Sequence, residues 1–232
     1  MPLRLVPPQV PSSSAFDAAA EANHRIANNL SMIASVIRMR GSSVGKDARR
    51  MRGDEVRLIL EEFGGRLDTV ARLHRLLASR QGEARIDIAV YLRDVAEAVV
   101  SSLAPAGAFE LQLTSNPGCF VTPETALALG LIAGELLTNA VKYAHPAGVA
   151  GQIRLACHRR SDGNIAIEVS DDGVGLPEGV DPMQSGHSGF RLVRSLADRL
   201  GATIAFHSDD LGLYFALQVP ACSKPEREVV QC

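Results

Sequence analysis

A histidine flanked by polar side chains at helical spacing is the first group in this sequence that could do chemistry. Glu21, His24, Asn28, Ser31 and Ser35 are separated by three or four residues, so on a helix they form one polar stripe. An exposed imidazole with a carboxylate one turn before it and an amide one turn after it can be held in one tautomer, which leaves its other nitrogen neutral and nucleophilic. The same spacing is also typical of an ordinary solvated helix face, and spacing alone favours that interpretation.

A second polar set, Glu135, Asn139 and Lys142, has separations of four and three residues. An amide oxygen is a hard ligand that suits Mg²⁺, and a lysine supplies a point charge for phosphate. Taken singly, such a triplet is more commonly the polar face of an amphipathic helix. The opposite face here carries Leu129, Ile132, Leu136 and Ala140.

A third set, Asp171-Asp172-Gly173-Val174-Gly175, directly follows an alternating strand pattern. Closely spaced glycines let the backbone approach a ligand and leave amides free to meet phosphates near the next helix start. The Walker motif is absent, and the dinucleotide fingerprint fails because Glu178 stands where its third glycine belongs. A tight loop without a ligand would have the same pattern. The glycines of this stretch are Gly173, Gly175, Gly179, Gly186 and Gly189.

The elements that must position these groups fall into two parts. Residues 1–15 are rich in proline and serine and predict a flexible lead-in. Two long helices, about 16–40 and 54–80, carry apolar stripes and predict a helical hairpin over residues 16–80. Two helices cover such stripes poorly, so we expect either a homodimeric four-helix bundle or docking onto the following domain. The stripes are Ile26, Leu30, Ile33 and Ile37, then Leu60, Phe63, Leu67 and Val70.

The second part, residues 81–220, alternates helices and strands and predicts a sheet with helices on one face. Thr122, Pro123 and Glu124 mark a helix start, and Asp162-Gly163 between two alternating stretches marks a hairpin. Residues 221–232 predict a loose tail. The predicted helices are about 88–103, 123–143 and 190–200, and the predicted strands are about 109–113, 153–157, 165–169, 203–207 and 213–219.

Composition narrows the classes of partner and compartment. A net charge of −2 gives no field toward nucleic acid or anionic lipid, so neither is expected as a partner. The four cysteines are scattered, which favours a reducing cytoplasm over a disulfide framework. The longest apolar run, residues 126–134, is too short to cross a bilayer, and the N-terminus lacks a signal-peptide pattern. We therefore expect a cytoplasmic protein without membrane insertion.

In their order along the chain, the three sets resemble the boxes of two-component histidine kinases. The stretch 21–30 matches the phosphoacceptor box Glu-x-x-His-Arg-x-x-Asn-Asn-Leu of one subgroup. Residues 135–144 match the asparagine box almost without deviation, and residues 171–175 match the first glycine box. The resemblance covers about residues 16–220. Since only about fifteen residues precede it, no sensor domain is expected before His24.

The resemblance implies an α+β fold and an activity. The hairpin would be a dimerisation and phosphotransfer domain, followed by the Bergerat-type ATP-binding α/β sandwich shared with gyrase and Hsp90. The implied activity is ATP-dependent autophosphorylation of His24, followed by transfer to an aspartate of a response-regulator receiver domain. The implied cofactors are ATP and Mg²⁺.

Individual roles are also carried over by the resemblance. His24 would accept the γ-phosphoryl group, with Glu21, Arg25 and Asn28 assisting transfer. Glu135 and Asn139 would organise water and Mg²⁺, and Asp171 would hydrogen-bond the adenine amino group. The remaining implied contacts to nucleotide are Lys142, Tyr143, Gly173, Gly175, Gly186 and Gly189, with residues 176–188 as the lid.

Two departures from the family pattern leave other functions open. The second glycine box reads Ser185-Gly186-His187-Ser188-Gly189, and Leu213 cannot donate the hydroxyl that commonly supports the adenine-binding carboxylate. They favour an alternative in which the hairpin is a histidine phosphotransfer protein with a vestigial nucleotide domain. A serine/threonine kinase of anti-sigma type on the same sandwich is a third possibility, but it needs no His24 hairpin.

Overall fold

The computed structural model describes residues 53–78, 80, 84–182, 184 and 188–220. The predicted first helix, its hairpin turn and the C-terminal tail lie outside these residues. Each helix and strand predicted after residue 53 is present, with ends that differ by at most two residues from the sequence-based bounds. The helices are α1 (Gly53–Ala78), α2 (Ile88–Leu103), α3 (Pro123–Tyr143) and α4 (Ser188–Leu200). The strands are β1 (Ile86–Asp87), β2 (Phe109–Ser115), β3 (Phe120–Val121), β4 (Gly151–Arg159), β5 (Ile165–Asp171), β6 (Thr203–Asp209) and β7 (Gly212–Val219).

The main sheet has five strands in the order β2-β4-β5-β7-β6. The β2–β4 pair is parallel and the other pairs are antiparallel. The register places Ile153 opposite Asp171, and Ser170 opposite Tyr214. The strands β1 and β3 form a separate two-stranded ladder that the sequence did not predict, because two residues are too few for a period-two pattern.

Helix α3 lies at the centre of the hydrophobic core. Its first turn is capped by Thr122, whose hydroxyl accepts a hydrogen bond from the Thr125 amide at 3.3 Å. Gly130 lets the Tyr91 ring of α2 approach, since a Cβ there would lie 2.7 Å from the tyrosine hydroxyl oxygen. Helix α3 is long and apolar enough to span a bilayer, but 67% of its apolar window is buried inside the fold, as expected for a core helix.

Helix α1 packs onto this core through its C-terminal half. Val70 and Leu73 are buried, and the Arg72 side chain donates a hydrogen bond to the Ala98 carbonyl oxygen at 2.9 Å. Farther toward the N-terminus, Leu60 and Leu67 are 62% and 36% exposed. The predicted stripe is therefore divided: its last part covers the sandwich, and Leu60 and Leu67 remain exposed in the single chain.

Candidate nucleotide site

The carboxylate of Asp171 lies at the end of β5, where the alternating buried residues of the strand stop. Its Oδ1 atom accepts hydrogen bonds from the amides of Gly173 at 3.1 Å and Leu213 at 3.4 Å. Burial raises the pKa of Asp171, and these two amides oppose the rise. Its Oδ2 accepts no hydrogen bond from the residues that the structure describes. The group is thus a half-buried acceptor suited to an amino group on a flat ligand.

The glycine loop after Asp171 lies against the C-terminal end of α3. A Cβ atom at Gly173 would overlap the Cα and carbonyl oxygen of Ala144. The Val174 amide donates to that same carbonyl oxygen at 2.9 Å. Ala144 directly follows Tyr143, so the backbone of the predicted glycine box contacts the end of the predicted asparagine box.

The other side of the loop contacts the turn between β6 and β7. Gly175 has φ of +66°, and a Cβ there would overlap the carbonyl oxygen of Asp209. The Leu176 amide donates to the Ser208 hydroxyl oxygen at 2.7 Å. At Gly212, where φ is +130°, a side chain would overlap the Asp171 carbonyl oxygen. Leu213 has no side-chain hydroxyl to donate to Asp171, but its backbone amide donates to that carboxylate instead. Gly212 makes this possible, because it lets the two backbone segments approach closely.

The polar residues of α3 differ in depth. Glu135 is 9% exposed, Asn139 is half-buried, and Lys142 and Tyr143 are less deeply placed near the helix end, where Tyr143 is 60% exposed. The prediction that Glu135, Asn139 and Lys142 share one polar face is wrong for Glu135. This residue is buried, because α3 is covered on all sides over residues 126–137. The four-residue spacing puts Glu135 and Asn139 on one side of the helix, with their Cα atoms about 6 Å apart along its axis. Two oxygen-bearing side chains so placed fit a Mg²⁺ that keeps waters and phosphates as its other ligands.

A polar pair beside the loop was missed by the sequence analysis. The Nε2 atom of His145 lies 2.8 Å from Oδ1 of Asp172, and the Gln152 amide donates to the same oxygen at 2.7 Å. Burial alone would raise the pKa of Asp172, but the hydrogen bonds from Gln152 and His145 outweigh it and lower that pKa. The doubled acid at 171–172 and the histidine directly after the asparagine box were the available signals.

The remaining predicted site residues are only partly placed. Gly189 lies in the first turn of α4, which packs against α3. Gly186 lies outside the described residues, as do Glu21, His24, Arg25 and Asn28. The described structure thus brings the predicted adenine side and the end of the asparagine-box helix together, and leaves the phosphoacceptor side as a prediction.

Comparison with known proteins places this geometry in a family. Residues 21–103 match the family model described as "Histidine kinase". Residues 124–222 match the one described as "Histidine kinase-, DNA gyrase B-, and HSP90-like ATPase". Two adjacent matches in this order cover most of the chain, and the chain belongs to the histidine kinases.

Named relatives agree with this family. The chain is 29% identical over 206 residues to Blue-light-activated histidine kinase 2 of Erythrobacter litoralis, covering 87% of this chain and 56% of that protein. It is 27% identical over 180 residues to Sensor histidine kinase PdtaS of Mycobacterium tuberculosis, covering 76% of this chain and 33% of that protein. It therefore spans between a third and just over half of these relatives.

Solved structures show the same fold. The Erythrobacter litoralis EL346 blue-light activated histidine kinase superposes with a TM-score of 0.67 at 27% identity, over 87% of this chain and 58% of that one. The histidine kinase domain of the same protein superposes with a TM-score of 0.62 at 22% identity, over 83% of this chain and 96% of that one. The helical region followed by an ATP-binding sandwich is thus confirmed as the fold class.

Proposed function

We propose that this chain is an ATP-dependent histidine autokinase that phosphorylates its own His24 and passes the phosphoryl group to an aspartate of a response-regulator receiver domain. The observation that carries the proposal is the half-buried Asp171 carboxylate at the junction of β5, the glycine loop and the end of α3. Its Oδ2 is an acceptor for the adenine amino group, and the absence of side chains at Gly173 and Gly175 lets the loop pack directly on Ala144 and Asp209, which fixes the backbone beside that carboxylate.

The phosphate side is assigned to α3 and the first turn of α4. Asn139 and Glu135 would hold Mg²⁺, which neutralises developing phosphate charge when it is bound. Lys142 would contact phosphate, and the exposed Tyr143 would flank the nucleotide. Amides at Gly186 and Gly189 would meet phosphate oxygens near the α4 N-terminus. These assignments follow the family resemblance residue by residue, and they are compatible with the packing of α4 on α3 and of the glycine loop on the end of α3.

At the acceptor end, His24 would attack the γ-phosphorus, with Glu21 orienting its imidazole and Arg25 and Asn28 tuning transfer. We also propose a homodimer, because Leu60 on α1 is 62% exposed and continues an apolar stripe. The proposed location is the cytoplasm, where ATP and receiver domains are found, with α3 remaining inside the fold.

Incubation with γ-labelled ATP and Mg²⁺ tests the proposal. The expected product is labelled protein whose label is lost in acid and retained in base, as a phosphoramidate requires. His24→Gln should abolish this label while ADP binding, followed by calorimetry, persists. His74, an exposed histidine on α1, offers the matched control His74→Gln, which should label like wild type.

Acid-stable label, or label retained by His24→Gln, would contradict the assignment of His24. If the wild type binds no ATP or ADP at millimolar concentration, the autokinase proposal gives way to the phosphotransfer alternative. In that case His24 would be labelled only when a second phosphorylated protein is supplied.

A further inference from the structure

The end of α3 is tied to the glycine loop at two successive residues. The Ala144 carbonyl oxygen accepts from the Val174 amide at 2.9 Å, and the next side chain, His145, contacts Asp172 at 2.8 Å. Gly173 lies between the two ties, and Asp171 directly precedes them. The position of the Asp171 carboxylate relative to α3 therefore depends in part on these two contacts, besides the pairing of β5 with β4.

The imidazole of His145 is held in place by its surroundings. Its side chain is 12% exposed, and its ring lies 6.0 Å from that of Phe109 at an interplanar angle of 44°. On another side, a Cβ atom at Gly151 would overlap the imidazole itself. The loop between α3 and β4 is also closed locally, since the Gly148 amide donates to the His145 carbonyl oxygen at 2.9 Å. Few rotamers are open to such a ring, so its Nε2 is pre-oriented toward Asp172.

Asp172 is in turn attached to the start of β4 through both its backbone and its side chain. The Gln152 amide donates to Asp172 Oδ1 at 2.7 Å, and the Asp172 amide donates to the Gln152 carbonyl oxygen at 3.3 Å. The charged Oδ1 thus receives two donors, and hydrogen bonds to charged groups are stronger than neutral ones. Removing the histidine donor would leave that oxygen with one donor and would release one of the two ties.

We propose that His145 is a positioning residue for nucleotide recognition: through Asp172 it fixes the adenine-reading carboxylate Asp171 against the helix that carries Asn139. The inference rests on the proposed function, because it assigns a role within that nucleotide site. It predicts an effect on affinity and on base preference. The carboxylate has to meet the amino group of adenine at hydrogen-bond distance, and guanine has a carbonyl oxygen in that place.

Two substitutions separate the hydrogen bond from the packing. His145→Phe keeps a ring against Phe109 but removes the donor, whereas His145→Gln keeps a donor at similar reach and loses the ring. With the full chain and Mg²⁺, His145→Phe should bind ADP roughly five- to twentyfold more weakly than wild type, and His145→Gln should recover most of that loss. The ratio of ADP to GDP affinity should fall in His145→Phe. For autophosphorylation, KM for ATP should rise with kcat nearly unchanged, as expected for lost ground-state binding.

The matched control is a second His–carboxylate pair on the main sheet. His158 Nε2 lies 3.5 Å from Glu168 Oε1. His158 is near the C-terminal end of β4, whereas the glycine loop adjoins the N-terminal end of that strand. His158→Phe should bind ADP as wild type does. Thermal unfolding of each variant establishes that it is folded at the assay temperature.

Several results would overturn the proposal. One is a folded His145→Phe with wild-type ADP affinity and base preference, and another is an equal loss in the Phe and Gln variants. A fall in kcat with KM unchanged would also contradict a positioning role. These failures differ from failure of the proposed function, in which the wild type itself binds no nucleotide.

Discussion

Replacement of Gly173 by alanine tests how the glycine loop and α3 are joined. The added methyl would occupy space held by the backbone of Ala144, which cannot rotate away as a side chain can. Overpacking of this kind costs about 1–3 kcal/mol. Separation of the two segments also breaks the Val174–Ala144 hydrogen bond of 2.9 Å, at about 0.5–1.5 kcal/mol. The sum is roughly 1.5–4.5 kcal/mol, which for a chain of this size lowers Tm by about 3–18 °C.

The same displacement should move Asp171, because the Gly173 amide donates to its Oδ1. We expect ADP affinity to fall at least tenfold, about 1.4 kcal/mol. Differential scanning calorimetry measures the first effect and isothermal titration with ADP the second. The control is Gly107→Ala, since Gly107 has φ of +80° but no atom within 4 Å of the place that the new methyl group would take, so only backbone strain is added there. The reasoning is refuted if Gly173→Ala lowers Tm no more than the control and binds ADP as wild type does.

Other substitutions address the remaining parts of the molecule. Asp171→Asn should abolish tight ADP binding without lowering Tm at neutral pH, because burial raises the pKa of this carboxyl and its ionisation costs stability. As pH falls from the raised pKa toward the ordinary value of 3.8, the free energy of unfolding of the wild type should therefore rise relative to that of Asp171→Asn. Denaturant titrations at several pH values measure this difference. A difference that does not change with pH contradicts the prediction. Asn139→Ala should strongly slow phosphoryl transfer in filter assays yet retain ADP binding, and equal loss of both would count against its phosphate-side role. Leu60→Glu should give a monomeric mass by light scattering while Leu211→Glu, an 81% exposed control, keeps the wild-type mass; a monomeric wild type defeats the dimer proposal.

Local chemistry accounts for the elements that the sequence predicted well. The β4–β5 hairpin forms where expected because Gly163 adopts φ of +85° and Asp162 accepts from the Asn164 amide at 3.0 Å. The start of α3 follows from the Thr122 cap and Pro123. These signals lie within a few residues of the structure they specify, so a single sequence contains them.

Tertiary contacts account for what was missed. His145 and Asp172 are 27 residues apart and meet only because the glycine loop closes on α3. The burial of Glu135 follows from helices packing around α3, whereas a helical period records only the polarity of one face. Leu67 and Val70 belong to the same apolar stripe of α1, yet Val70 is buried against the sandwich and Leu67 is exposed. The spacing of apolar residues predicts which side of a helix is buried. It does not predict how far along the helix the packing partner extends.

If helix α1 tilts as one rigid body, its buried C-terminal half on the sandwich would be the pivot of a lever. Leu73 is buried at the pivot, and Thr69 lies against Gly134, one residue before Glu135. The stretch from Gly53 to Leu73 extends about 30 Å at roughly 1.5 Å per residue. A tilt of about 10° around the pivot therefore displaces the far end by roughly 5 Å, and small forces applied there act with a long moment arm on the helix that carries Asn139. In such a tilt the contact of Thr69 with Gly134 would move far less than Gly53 does, because it lies close to the pivot.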